Sequence, residues 1–309
     1  MKRRDFILKG LTASIFAGAF LKTGAFPKIG ALQDGKSNPN KPLDLVAVMG
    51  GEPKGMFIKA MAAFGGMGVF VKKGQTVVVK PNIGWDTSPE LAANTNPELV
   101  GEIVKQCVAA GAKEVFVFDN TCDTWNRCYN NSGIEKAVKD AGGKMVPGNT
   151  ENYYKTVAVP KGKKLTEAKV HELILNSDVF INVPVLKHHS SAKLTIAMKN
   201  LMGIVWDRRY WHRNDLHQCI ADFATWRKPT LNIIDAYRVM TRNGPRGVSE
   251  ADIVMKKALI VSADMVAADA AAAKIFGNEP SDIPYIQIAH DMGIGNMNLN
   301  ELNIERIKA

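Results

Sequence analysis

From Leu45 onward, short β-branched apolar runs alternate with longer amphipathic stretches. The short runs predict strands over Leu45–Val48, Thr76–Lys80, Val115–Asp119, Asp178–Val183, Leu231–Asp235 and Ala258–Val261. The stretches between them predict helices over Pro97–Ala110, Ser132–Ala141, Glu167–Leu175, Asp215–Trp226 and Asp264–Phe276. Several boundaries carry their own punctuation. Asn96 is a cap-competent residue and Gly111 a stop; Gly142-Gly143 ends the second helix; the Ala-rich last helix runs from Asp264 to Gly277. Strands separated by helices imply βαβ units with right-handed crossovers. The expected fold is α/β, a doubly wound and mainly parallel sheet with helices on both faces. No internal repeat or composition break divides residues 45–309, which read as a single domain.

The start of the chain follows another pattern. Arg3-Arg4 stand before Phe6, Leu8 and Lys9, which resembles a twin-arginine export signal, although Lys2 occupies a place where Ser or Thr is usual. The uncharged stretch from Gly10 to Leu21 is diluted by Gly, Thr and Ser and ended by Lys22, too short for a stable membrane span. Residues 1–30 are therefore expected to be a signal segment and 31–44 a polar linker. The folded domain would reach the periplasm through the twin-arginine machinery. Ala17-Gly18-Ala19 and Thr23-Gly24-Ala25 both offer small residues for cleavage, and an uncleaved leader would act as an anchor. No other stable span is expected, because no uncharged apolar run reaches about 20 residues.

Charge changes the picture only once it is divided. The 309 residues carry 40 Lys and Arg against 30 Asp and Glu, a net +10. Residues 1–43 account for eight of those bases and two of the acids, so the remainder carries only +4. No basic run is interleaved with aromatics, and nucleic acid is not an expected partner. The four cysteines contain no C-x-x-C, which argues against a zinc ribbon or an iron–sulfur cluster. Cys122 and Cys128 are either a disulfide closing a loop around Trp125 or free thiols.

In doubly wound folds the ligand site lies beyond the carboxyl ends of the strands. Reading outward from each strand gives Lys80-Pro81-Asn82, Asp119-Asn120-Thr121, Lys187-His188-His189 and Asp235. A lysine following three valines is buried enough to need an anionic partner. The densest segment, Leu186–Gly203, adds Lys193, Thr195, Lys199 and Asn200. Five of the six histidines, among them His212 and His217, fall between positions 171 and 217. Two chemistries compete here. Lysines, hydroxyls and amides suit a phosphate or carboxylate, with Lys80, Lys187, Lys193 and Lys199 as point charges. Alternatively, one of His188 or His189 with His217 and an acid, Asp119 or Asp235, could hold a divalent metal. The anion is the favoured ligand. Trp206, Tyr210 and Trp211, with Arg208, Arg209 and Arg213, form either a stacking lid for a planar ligand or an amphipathic connection packed on the domain. Asn243–Gly247 reads as turn chemistry. No dinucleotide fingerprint or serine-hydrolase elbow is present.

An ordered set of short motifs resembles the domain-of-unknown-function family DUF362. It comprises Val-Val-Lys80-Pro81-Asn82, then Asn94-Thr95-Asn96-Pro97-Glu98-Leu99-Val100, then Asp119. It continues through Asn182, Pro184, Leu186-Lys187-His188-His189, Lys193-Leu194-Thr195 and Met198-Lys199-Asn200, to Gly203, His217, Asp235, Asn243-Gly244-Pro245 and Asp264–Asp269. The resemblance runs over residues 45–295. It identifies a family without an assigned chemistry. Some members carry a ferredoxin-like module whose cluster-binding cysteines this chain lacks. The fold pattern is also similar to that of nucleotide- and metallocofactor-using α/β enzymes, including nickel-pincer lactate racemases, a likeness of fold and not of site.

The expected protein is an exported enzyme or cofactor-dependent protein acting on a small anion, its cofactor unidentified. In that reading Lys80, Asn82, Thr95, Lys187, Lys193, Lys199 and Asn200 bind ligand, while His189, His217, Asp119 and Asp235 do the acid–base or orienting work. A non-catalytic protein that holds an anion, cofactor or metal for a partner is the alternative.

Overall fold

The computed structural model describes residues 37–309, so the expected signal segment, with Arg3 and Arg4, and the first part of the expected linker lie outside the described residues. Twelve strands occur in them: β1 (Leu45–Met49), β2 (Thr76–Pro81), β3 (Glu114–Val117), β4 (Lys144–Met145), β5 (Tyr154–Ala158), β6 (Glu167–His171), β7 (Val179–Val183), β8 (Val185–His189), β9 (Lys193–Thr195), β10 (Leu231–Met240), β11 (Ile253–Ser262) and β12 (Ile304–Lys308). The helices are α1 (Pro53–Ala63), α2 (Pro97–Ala109), α3 (Trp125–Asn131), α4 (Ile134–Asp140), α5 (Glu172–Asn176), α6 (Ala197–Asn200), α7 (Arg208–Arg213), α8 (Leu216–Ala224), α9 (Met265–Phe276) and α10 (Pro284–Asp291).

Ten strands make one mixed, mostly parallel sheet, with β12-β1-β11-β10-β7-β2-β3-β4 as its main path and β8–β9 attached to β10. β2, β3, β4, β7 and β10 are parallel neighbours, and β11 runs antiparallel between β10 and β1. The chain leaves β2 toward β3 and β4, then returns to place β7 on the other side of β2. That reversal is the switch point at which doubly wound sheets open a crevice.

Side chains alternate across the pleat. Val77 and Val79 join Val46, Val48, Val115, Val117, Val179 and Ile181 on one face, under the apolar sides of α1, α2 and α4. The other face is covered by α6 and α9. Here the apolar pattern is broken by a polar row. Lys80 pairs in register with Asn182, Asn182 with Asn232, and Asn232 with Ser262. All four are fully buried.

The expected caps form. Asn96 accepts from Glu98 N and Leu99 N at the start of α2, and Asp264 accepts from Val266 N and Ala267 N at the start of α9. Gly277 closes α9 at φ +112°, a conformation that favours glycine. The helix expected over Glu167–Leu175 is a correction. Residues 167–170 alternate outward and inward, and β6 pairs antiparallel with β5, leaving only α5 helical. Pairing to β5 overrides the helix preference of Glu, Ala and Lys. Residues 132–141 also shorten, to α4, because Gly133 at φ +72° separates it from α3. The segment 186–203 is no continuous helix: it turns from β8 to β9 before α6. None of the helices among the described residues is long and apolar enough to cross a membrane.

Candidate functional site

Lys80 ends β2 with no exposed surface, and its ammonium lies 3.0 Å from Asp119 Oδ1, just past the end of β3. It also donates to Asn200 Oδ1 at 2.6 Å. Asp119 Oδ2 accepts from Ile83 N at 2.7 Å, which fixes the loop after β2. Burial penalises both charges, lowering the Lys80 pKa and raising that of Asp119, while their mutual attraction opposes both shifts. The pair is pressed from above by Gly203. A Cβ at position 203 would overlap Asp119 Oδ1 and the Lys80 ammonium and lie 2.5 Å from Lys80 Cε.

Amides extend the pair into a network. Asn200 donates to Asn182 Oδ1 at 2.9 Å, Asn182 to Asn232 Oδ1 at 3.0 Å, and Asn232 to Ser262 O at 3.3 Å. Asn82 donates to Asn200 Oδ1 at 3.2 Å and accepts from the Lys187 ammonium at 2.9 Å. Lys187 also donates to Ala93 O. Thr95 pins this arrangement, its hydroxyl accepting from Asn82 N at 2.8 Å and donating to Val183 O at 2.7 Å. Lys199 is positioned by α6, whose first amides, Ala197 N and Met198 N, donate to the buried carboxylate of Asp269. Among the described residues, the only hydrogen-bond acceptor the Lys199 ammonium meets is the Met202 thioether, at 3.1 Å.

Burial is the largest cause of the depressed lysines, bringing Lys187 down to about 7 and Lys199 to about 8. His189 closes β8. Its Nδ1 accepts from Ser191 N and Ala192 N, both at 3.2 Å, so the ring proton sits on Nε2. Burial first, then the charges of Lys199 and Lys187, push its pKa to about 2, leaving the imidazole neutral. Arg208 borders the group. Its guanidinium donates to Asn120 O and Thr121 O, both at 2.8 Å, and lies 3.6 Å from Cys122 Sγ.

Lys80, Asn82, Thr95, Asp119, Lys187, Lys199 and Asn200 are thus brought together, with His189 beside them. Three other candidates lie outside the network. Asp235 accepts from Asn96 N at 2.7 Å and Tyr237 N at 3.1 Å, so it holds the α2 cap; burial raises it to about 6, against the pull of those donors. Lys193 is exposed and donates to Asp282 O, drawn away by a left-handed backbone (φ +63°). His217 stacks on Tyr285 with centroids 6.1 Å apart, and its buried Nδ1 has no hydrogen-bond partner among the described residues. Burial lowers its pKa, Asp215 opposing. No three His, Cys, Asp or Glu side chains among the described residues gather as a metal site, so the His–His–acid set weighed as the alternative does not form there.

Sequence reasoning left Asn182, Asn232, Gly203 and Asp269 out of the site, although an Asn inside Val-Phe-Ile-Asn-Val was a visible signal. Of the two readings of the aromatic segment, Trp211 follows the packed connection: it is buried against Phe223, centroids 5.2 Å apart. A cavity of about 730 Å³ beside Arg208 is lined by Trp206, Arg209, Tyr210 and Lys169 and shares Arg208 and Asn120 with the site's edge. Cys122 and Cys128 are free thiols.

Fold and side chains together define an α/β protein with a cationic cluster at the carboxyl ends of its central strands. Residues 77–274 match the family model described as Domain of unknown function (DUF362), and the chain belongs to that family. A thylakoid-associated protein of Synechocystis sp. is 25% identical over 238 residues, covering 74% of this chain and 72% of the relative. Among solved structures, the lactate racemase apoprotein from Thermoanaerobacterium thermosaccharolyticum aligns over 72% of this chain at 14% identity and a TM-score of 0.44. The chain spans 55% of that structure's length.

Proposed function

We propose that the cluster binds a small anion, a carboxylate or phosphate, as part of an enzyme or cofactor-dependent protein. One observation carries this reading: three lysine side chains, Lys80, Lys187 and Lys199, are buried together, and among the described residues Asp119 is the one carboxylate that pairs with any of them. A buried charge without a counter-charge is costly, and a bound anion removes that cost. The neutral His189, whose ring proton sits on Nε2, supports the reading, since it can donate a hydrogen bond to the anion or to an oxyanion developing on it. Export through the twin-arginine route belongs to the same proposal and rests on Arg3-Arg4.

Isothermal titration of the full chain with sulfate, phosphate and small carboxylates tests the binding. Saturable heat is expected, weakened about tenfold or more in Lys187→Met, because a charge-assisted hydrogen bond contributes roughly 1.5–3 kcal/mol. Absence of heat together with absence of thermal stabilisation refutes it. Export is tested by replacing Arg3 and Arg4 with Lys, which should hold the folded domain in the cytoplasm; unchanged export means the leader was misread.

A further inference from the structure

The three buried lysines are not equivalent. Lys80 is held by Asp119 and Asn200, and Lys187 by Asn82 and the Ala93 carbonyl. Among the described residues Lys199 has only a thioether as acceptor, a poor partner for an ammonium. It nevertheless sits on a well-defined helix whose N-terminal amides are clamped by Asp269. Its charge lowers the pKa of both His189 and His212, so the two imidazoles lie within its electrostatic reach.

We propose that Lys199 is a nucleophilic amine which condenses with the carbonyl of a small oxo acid to form an imine, the acid group being held by the neighbouring lysines. This rests on the anion reading above and adds a substrate class to it. The Lys199 lone pair forms the C–N bond while the C=O π pair moves onto oxygen. That oxygen gains two protons and departs as water. Both are matched by the two protons the neutral amine loses, so no oxidant or reductant is needed. His189 Nε2–H can donate a hydrogen bond to the developing oxyanion, while the two protons pass from nitrogen to oxygen. The amine form is accessible: with its pKa near 8 instead of 10.5, Lys199 holds on the order of a hundredfold more free amine at neutral pH than an ordinary lysine.

The test uses glyoxylate, which carries an aldehyde and a carboxylate, with cyanoborohydride to reduce any imine, followed by peptide mapping of the full chain. Lys199 is expected to label at least about tenfold faster than exposed lysines such as Lys163, with sulfate suppressing the label. Acetaldehyde, which has no anionic group, should label it poorly. Lys199→Arg should lose the mapped label; if that variant fails to fold, mapping on the natural chain decides alone. Label spread evenly over surface lysines, or equal labelling by acetaldehyde, overturns the proposal. Calorimetric sulfate binding without Lys199 labelling overturns the imine alone, whereas loss of both overturns the anion reading as well.

Discussion

Adding one methyl group at Gly203 should damage this protein far more than adding the same group at Gly55. In Gly203→Ala the new Cβ falls inside the Lys80–Asp119 pair, overlapping the Asp119 carboxylate and the lysine ammonium. The neighbours have little room to yield. Asp119 is tied to Ile83 N, Lys80 to Asn200, and Gly203 O itself accepts from Asn120 N at 2.9 Å. Overpacking alone costs about 1–3 kcal/mol. Separating a buried ion pair costs about 3–5 kcal/mol, because each charge is left without its partner. The two are one event seen twice, so about 3–5 kcal/mol is expected in total. At roughly 2–4 °C per kcal/mol for a large domain, the melting temperature should drop by about 10 °C. Gly55 lies in α1 with nothing within 4 Å of an added Cβ. Gly55→Ala should stabilise by about 0.5–1 kcal/mol, the ordinary gain in a helix. Urea and thermal unfolding of both variants read the contrast. A Gly203→Ala protein within about 1 kcal/mol of the parent would refute the argument that this pair is rigidly enclosed.

Other expectations concern titration, capping and thiols. Sulfate keeps its charge above neutral pH, so its affinity should fall as pH rises through about 7 to 8, where Lys187 and Lys199 lose protons; calorimetry at pH 6.5 and 9 checks this. Without ligand, these two groups act in the opposite sense. The unfolded lysines retain protons up to 10.5 that the folded ones have lost, so their contribution to stability grows from about pH 7 upward, and a mid-point in urea that falls from pH 7 to 9 would contradict it. Asp269→Asn leaves one acceptor for two α6 amides and should cost about 1–3 kcal/mol, read by the same unfolding assay. A maleimide should modify Cys122 in the folded chain but Cys107, Cys128 and Cys219 only after unfolding, as peptide mapping will show.

Strand positions were legible because parallel strands buried on both faces read as continuous β-branched runs. Lys80 and Asp119 stood out for the same reason: each interrupts or ends such a run. The site was only partly legible because contact depends on turns that pattern does not specify. His189 and His217 look alike in sequence, but backbone amides of the 190–192 turn capture His189 Nδ1, while α8 turns His217 onto Tyr285. Asp235 looked catalytic because it follows an apolar run, and only the fold shows that it serves Asn96 and Tyr237. Asp269 was hidden inside an alanine-rich helix, and its partners lie about 70 positions earlier in the chain.

The polar row crossing β2, β7, β10 and β11 has a consequence for how the sheet finds its alignment. Valine and isoleucine pack almost as well when a strand slides by two positions, since the same face stays inward. Asn182 and Asn232 do not tolerate such a slide between β7 and β10: their side-chain hydrogen bond would be lost, and Asn232 would face Phe180 or Pro184 instead. A buried amide stripped of its partner costs about 1–3 kcal/mol, so a slipped strand incurs that penalty at one or both of its edges. The row works as a vernier, distinguishing the correct alignment from apolar near-equivalents and thereby bringing Lys80 to Asp119 and Asn200.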